Sequence, residues 1–234
     1  KNNKKNIEEE QLEILKISSI IQKTSFKKST GLIFLSSYAK RVISNSVNIK
    51  HKSKKVINFG VDSSFSKKLS IQKPIKNYSN DNPFKFLYVS TVYPYKHQSN
   101  VTDAIYNLKS AGYPVSLTLI GGGDKYLIRK LKNKIKVYNT QKKFIYFLGD
   151  IHHTKITSYY HNSDAFIFAS TCENMPNIVL EAMKSKLPIA SSNYDPMNEF
   201  LENNAFYFNP LNIDEIENSL INLINDSKKR NYFV

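Results

Sequence analysis

Two glutamates, Glu173 and Glu181, lie in the stretch from Thr171 to Lys186, which reads Thr-Cys-Glu-Asn-Met-Pro-Asn-Ile-Val-Leu-Glu-Ala-Met-Lys-Ser-Lys. Just ahead of it, Asp164 to Ser170 is an apolar run rich in β-formers and long enough for one buried strand. Asn174 is a candidate N-cap, and Pro176 suits a first helical turn, where its missing N–H costs nothing. The spacing therefore predicts a helix from about Pro176 to Ser185. Glu173 then falls in the loop above the carboxyl end of the strand, and Glu181 falls inside the helix. In a parallel α/β sheet that edge is where ligands bind, and a helix N-terminus offers free N–H groups and a positive dipole end to an anion. Carboxylates beside an anion site suit a polyhydroxylated ligand. Each carboxylate can accept two hydroxyl hydrogen bonds while the amides hold a phosphate.

The elements that would position these groups follow from periodicity. From Phe84 onward strand and helix alternate without internal repeats: strands at 85–90, 115–120, 144–149, 165–169, 187–192 and 205–208, and helices at 100–111, 126–138, 155–162, 176–185, 197–201 and 213–225. Such alternation implies an α/β fold with a parallel, doubly wound, Rossmann-like sheet and helices on both faces. Upstream, residues 7–26 have helical periodicity through Leu12, Leu15, Ile17, Ile20 and Ile21. A strand is expected at 30–37, a helix at 38–45 capped by Ser36 or Ser37, and a strand at 55–62 running into the turn at Gly60. Residues 67–83, rich in Lys, Asn, Ser and Pro and without periodicity, read as a linker.

At Glu173-Asn-Met-Pro-Asn-Ile-Val-Leu-Glu181-Ala-Met the sequence resembles the Glu-x7-Glu signature of the family 4 retaining glycosyltransferases of GT-B fold. A bare Glu-x7-Glu arises by chance in many helices, but the Pro-Asn-x-x-x-Glu-Ala-Met tail after a buried strand is far more restrictive. Thr91-Val-Tyr-Pro-Tyr-Lys96-His97, after the strand at 85–90, resembles the family's Gly-Arg-x-x-x-x-Lys loop, whose basic pair holds the donor diphosphate. Lys96 matches, whereas Thr91 stands in place of the arginine and Ser90 in place of the glycine. Gly121-Gly122-Gly123 matches neither Gly-x-Gly-x-x-Gly nor the Walker loop. It stands where the family uses a glycine turn to let the donor approach the backbone. Gly149-Asp150-Ile151 resembles the segment that meets the nucleobase.

The resemblance implies residues 1–66 as a remnant of the acceptor domain, 67–83 as a linker and 84–234 as the nucleotide-sugar-binding domain. It implies catalytic roles for Glu173 and Lys96, ribose binding by Glu181, and a donor pocket made by Thr91, Gly121, Gly122, Leu148, Ile151, Met175, Pro176, Asn177 and Ile178. The partners implied are a nucleotide-sugar donor as substrate and a saccharide or lipid-linked acceptor. Transfer would retain the anomeric configuration and need neither metal nor cofactor. A GT-B epimerase and a truncated fragment that binds nucleotide or nothing are the alternatives; a phosphorylase would need a pyridoxal lysine motif, which is not found.

Composition bounds these readings. With 234 residues, 41% of them apolar, the chain can bury a core and form one large domain, or one domain and part of another. A net charge of +15, from 34 basic and 19 acidic residues, invites nucleic acid, an anionic membrane face or a phosphorylated ligand. The basic residues are scattered rather than interleaved with aromatics, which argues against nucleic acid. Combined with the resemblance, they suggest envelope polysaccharide or glycolipid synthesis in the cytoplasm, with peripheral contact at the anionic inner membrane face. No run of eighteen apolar residues occurs. The single cysteine, Cys172, excludes an internal disulfide, fits a reducing compartment and is expected to be buried. His152 and His153 are adjacent and so point apart, a poor metal pair best read as solvated loop, and Asp-x-Asp is absent. No initiator Met or leader is seen, and both ends read as cut.

Overall fold

The computed structural model describes residues 2–69, 71–140 and 142–234, without the side chains of residues 2–11. The chain divides into two compact units, Lys1–Phe59 and Gly60–Val234. The division falls ahead of residues 67–83, and that segment is laid along the larger unit.

The smaller unit holds helix α1 (Asn2–Lys28), strand β1 (Gly31–Phe34), helix α2 (Ser37–Ser46) and strand β2 (Ser53–Val56). β1 and β2 pair in parallel from Gly31 opposite Ser53 to Phe34 opposite Val56. The first strand ends earlier than expected because the Ser36 hydroxyl accepts the Ala39 N–H at 3.1 Å and starts α2. The second ends at Val56, after a last bond from Ile57 N to the Phe34 carbonyl at 2.8 Å, because β1 offers nothing further to pair with. Phe34, Val47 and Ile49 form the small core. Leu12, Leu15, Ile20 and Ile21, on the described part of α1, are exposed.

In the larger unit six strands lie in the order β5-β4-β3-β6-β7-β8, every pairing parallel. They are β3 (Phe84–Val89), β4 (Val115–Ile120), β5 (Ile145–Gly149), β6 (Ala165–Phe168), β7 (Ile189–Ser192) and β8 (Phe206–Phe208). The helices between them are α3 (Gln98–Ser110), α4 (Lys125–Tyr138), α5 (His153–His161), α6 (Asn177–Lys184) and α7 (Met197–Leu201), followed by α8 (Ile213–Asn225) and α9 (Ser227–Tyr232). The central strands are continuous apolar runs, as a sheet covered on both faces requires, and Phe86, Leu87, Leu117, Ile145, Phe166 and Phe168 are all buried. Strand order grows one way from β3 and the other way from β6. Right-handed crossovers therefore place α3 and α4 on one face and α6 on the other, and the β3/β6 boundary is the topological switch point.

The segment read as a linker is aperiodic yet anchored. Gln72 N donates to Asn231 Oδ1 at 2.8 Å, the Tyr78 hydroxyl to Asp164 Oδ1 at 2.9 Å, and the buried Arg230 to the Lys73 carbonyl at 2.6 Å. Arg230 also donates to the carbonyls of Leu223 and Ile224, groups that the end of α8 leaves without helical partners.

Candidate functional site

The switch point brings the loop after β3 beside the loop after β6. Beyond Val89 the chain bends through Thr91 and makes a 3-10 turn at Pro94–Lys96. His97 follows in the left-handed region (φ 48) and starts α3. Tyr88, fully buried in β3, stitches the two loops: its hydroxyl donates to the Lys96 carbonyl and accepts the Ala169 N–H at 3.2 Å. Burial pushes that phenol up, so it remains a neutral donor. Thr171 N donates to the Tyr95 carbonyl at 2.9 Å, and His97 Nε2 meets Thr171 Oγ1 at 3.1 Å.

The strapped loops hold Lys96 and Glu173 together as an ion pair whose side chains are only 9% and 13% exposed. Lys96 Nζ also stands 5.1 Å from the centre of the Phe168 ring and 5.3 Å from that of Tyr95. Among the described residues Lys96 and Arg230 are the buried cations. Arg230 is held by carbonyls of its own scaffold, which leaves Lys96 as the buried charge at the ligand edge of the sheet. Tyr93 and Tyr95 stack with ring centres 5.9 Å apart, both partly exposed. Thr91 is exposed; its carbonyl accepts the Gln98 amide at 2.8 Å, and its side chain brings no charge in place of an arginine.

α6 begins one residue later than the sequence suggests, and Asn174 is not its cap. Pro176 takes the cap position and its carbonyl accepts Val179 N at 2.9 Å, while Met175 and Pro176 are both buried. The N–H groups of Asn177 and Ile178 precede the first intrahelical donor, Val179 N, and so have no acceptor within the helix; Asn177 lies four residues after Glu173. Glu181, the fifth residue of the helix, lies in its second turn with its side chain 13% exposed. It belongs to a second cluster: the Tyr160 hydroxyl on α5 donates to Glu181 Oε2 at 2.8 Å, and His153 Nε2 stands 3.8 Å from Oε1. Burial first, then the adjacent carboxylate, raises the Tyr160 phenol well above its usual value.

The glycine turn after β4 is built against its neighbours. Gly121 and Gly123 both have φ 136, and a Cβ on Gly123 would sit 2.6 Å from the Val92 carbonyl oxygen, while one on Gly122 would sit 2.3 Å from an Asp150 carboxylate oxygen. Val92 N donates to the Gly122 carbonyl at 2.6 Å, and Gly121 N to that of Gly149 at 2.8 Å. The turn thus ties together the loops after β3, β4 and β5. Beyond it, Ile151 is half-buried against the core and Leu148 is 39% exposed.

The structure therefore joins Lys96 to Glu173 directly, sets Met175, Pro176, Asn177 and Ile178 at the start of α6, and puts Thr91, Gly121, Gly122, Leu148 and Ile151 at the ends of β3, β4 and β5. Glu181 is held separately, through α5. Cys172 is exposed, against expectation, because it lies in the loop beyond β6 and not under the strand. His152 and His153 are exposed, His152 capping α5, and no group of three metal-ligating side chains occurs among the described residues. Sequence reasoning missed Tyr88 and Tyr160. The one usable signal was a polar tip inside an apolar run, Phe86-Leu87-Tyr88.

Residues 71–234 match the family described as "Glycosyl transferases group 1". No curated protein matches the chain. Among solved structures it is similar to Anabaena Alr3699/HepE in complex with UDP and glucose (TM-score 0.72, 21% identity, covering 88% of this chain and 56% of that one). It is also similar to a sucrose-phosphate synthase from Thermosynechococcus elongatus (0.76, 18%, 92% and 54%) and to WaaG, a glycosyltransferase involved in lipopolysaccharide biosynthesis (0.70, 15%, 88% and 56%). The chain spans about half the length of these relatives, and identities this low speak for the fold alone. With its doubly wound parallel sheet, and with a family match over most of its length, the chain belongs to the group 1 glycosyl transferases and has the fold of GT-B enzymes.

Proposed function

We propose that this chain carries the donor half of a glycosyltransferase that moves a sugar from a nucleotide-sugar to an acceptor hydroxyl with retention of configuration. The observation that carries the reading is the buried Lys96–Glu173 pair, set at the switch point beside the N-terminus of α6. A diphosphate between Lys96 and the amides of Asn177 and Ile178 would meet a cation and a helix dipole together. Glu173 would then face the donor sugar near its anomeric carbon, and Glu181 the ribose hydroxyls. Thr91, Gly121 and Gly122 would border the phosphates; Met175 and Pro176 would shape the entrance to α6; Leu148 and Ile151 would pack on the base.

Negative charge grows on the departing diphosphate as an oxocarbenium-like centre forms, so stabilising that charge is the main electrostatic task. The acceptor hydroxyl attacks from the face the diphosphate leaves, and a phosphate oxygen takes its proton. Lys96 and the α6 amides supply the stabilisation in this scheme without a metal or cofactor. The acceptor is a saccharide or lipid-linked saccharide for an envelope polysaccharide or glycolipid. The excess of basic residues favours peripheral contact with an anionic membrane from the cytoplasmic side.

Two measurements test the reading. Glu181→Ala should weaken nucleoside diphosphate binding by roughly 1.5–3 kcal/mol by calorimetry, the scale of hydrogen bonds to a charged group, and equal affinities would remove Glu181 from the site. In the intact enzyme Lys96→Ala should slow transfer by about 10²–10³, and unchanged turnover would end the leaving-group assignment.

A further inference from the structure

Glu181 is not simply a carboxylate on a helix face. The Tyr160 ring is clamped edge-on by Phe65, 5.2 Å between centres, and stacked on Phe166, 5.6 Å between centres, so its hydroxyl has little freedom. That hydroxyl reaches Glu181 Oε2 at 2.8 Å and, more weakly, the Ile178 carbonyl at 3.3 Å, and the ring is fully buried. A buried phenol needs an acceptor, and the Ile178 carbonyl alone would satisfy it. The shorter bond instead goes to the carboxylate.

We propose that Tyr160 is a positioning residue that fixes the plane of the Glu181 carboxylate for a pair of vicinal hydroxyls on the ligand. A glutamate carries several rotatable bonds, and ordering it on ligand binding costs side-chain entropy. Tyr160 removes that cost in the free protein. It takes one lone pair of Oε2 and leaves another on that oxygen, while His153, at 3.8 Å, lies beyond hydrogen-bond length from Oε1 and leaves that oxygen open. One carboxylate oxygen then remains available to each hydroxyl of a cis-diol. Because burial keeps the phenol protonated through the neutral range, Tyr160 always donates and Glu181 accepts from the ligand in one fixed orientation.

The inference rests on the assignment of Glu181 to the ribose, and one experiment separates the two. Calorimetry measures the full chain with UDP, ADP and GDP and with the 2′-deoxy form of whichever binds best. If Glu181 holds the ribose, the parent chain should prefer the ribonucleotide by about 10–100-fold, the worth of a hydrogen bond to a charged group. No preference, or no binding, would overturn that assignment and this inference with it. Given a preference, Tyr160→Phe, which keeps ring and volume, should reduce it to about 2–3-fold while inorganic pyrophosphate competes as before, because only the diol contact is loosened. Tyr160→4-aminophenylalanine, which restores a donor at the ring tip, should recover it. A ribose preference undiminished in Tyr160→Phe would refute the positioning role. If Tyr160→Phe unfolds, the 4-aminophenylalanine variant alone decides: full preference supports the role, and a folded variant with the preference lost refutes it.

Discussion

At the scale of single residues the decisive arrangement is a cation already neutralised before any ligand arrives. Lys96 gives its charge to Glu173 in the free chain, so an incoming diphosphate must compete with that carboxylate or share the ammonium with it. Glu173→Gln should therefore tighten nucleoside diphosphate binding by about 1 kcal/mol, by removing a like charge from the anion site, while transfer in the intact enzyme falls. Weaker diphosphate binding in this variant would mean that the pair organises the loop more than it opposes the ligand. His97 makes a second test. Burial lowers its pKa below the ordinary 6.5, so the folded chain disfavours its protonated form. The unfolded chain then binds more protons below about pH 6.5, and the contribution of neutral His97, whole above that value, is lost as the pH falls. His97→Asn keeps a residue tolerant of the left-handed backbone at φ 48 and should flatten the fall in stability below pH 6.5, read by urea unfolding at a series of pH values.

At the scale of elements, three loops from three parallel strands are joined at the glycine turn, and the three glycines are not equivalent. Gly123 has φ 136 and faces the Val92 backbone, which cannot yield, whereas Gly122 faces the far end of the Asp150 side chain, which can turn away. Gly123→Ala should cost about 2–4 kcal/mol, combining backbone strain with overpacking, and Gly122→Ala less than about 1 kcal/mol. Equal losses in chemical denaturation would show that the Asp150 side chain is as fixed as the backbone. The same turn sets the floor under Thr91 through the Val92–Gly122 hydrogen bond, so Gly123→Ala should also weaken diphosphate binding, an effect that stability alone does not predict. Arg230 works at this scale too, holding the end of α8 and residue 73 against β3 with its guanidinium 5.1 Å from the Phe84 ring centre.

At the scale of the whole molecule, the larger unit contains an entire doubly wound sheet with its ligand edge, while the chain covers about half the length of the solved structures it resembles. Residues 1–234 alone are accordingly expected to bind a nucleoside diphosphate and to transfer no sugar, because orientation of two reactants in one cleft supplies much of the rate in such reactions. Robust transfer to a saccharide or lipid-linked acceptor by these residues alone would show that the donor half suffices. The net charge of +15 should make any association with anionic vesicles steeply dependent on salt.

Periodicity is local, and what depends on it was legible in the sequence. The strand-helix alternation from Phe84 to Asn225, the bounds of α7 and α8, and the loop-then-helix placement of Glu173 and Glu181 all follow from patterns spanning a dozen residues or fewer. Cap chemistry was legible where a hydroxyl decides it, as at Ser36. It failed at α6, because burial of Met175 and Pro176 outweighed the capping preference of Asn174. Only the tertiary structure decided that Lys96 meets Glu173, 77 residues away, since that contact requires β3 and β6 to be neighbours although β4 and β5 lie between them in the chain. The same holds for Tyr160 and Glu181, 21 residues apart on two helices that both pack on the Phe65 turn. Strand order is chosen by the packing of whole faces and by the handedness of crossovers, and no short window of sequence contains either.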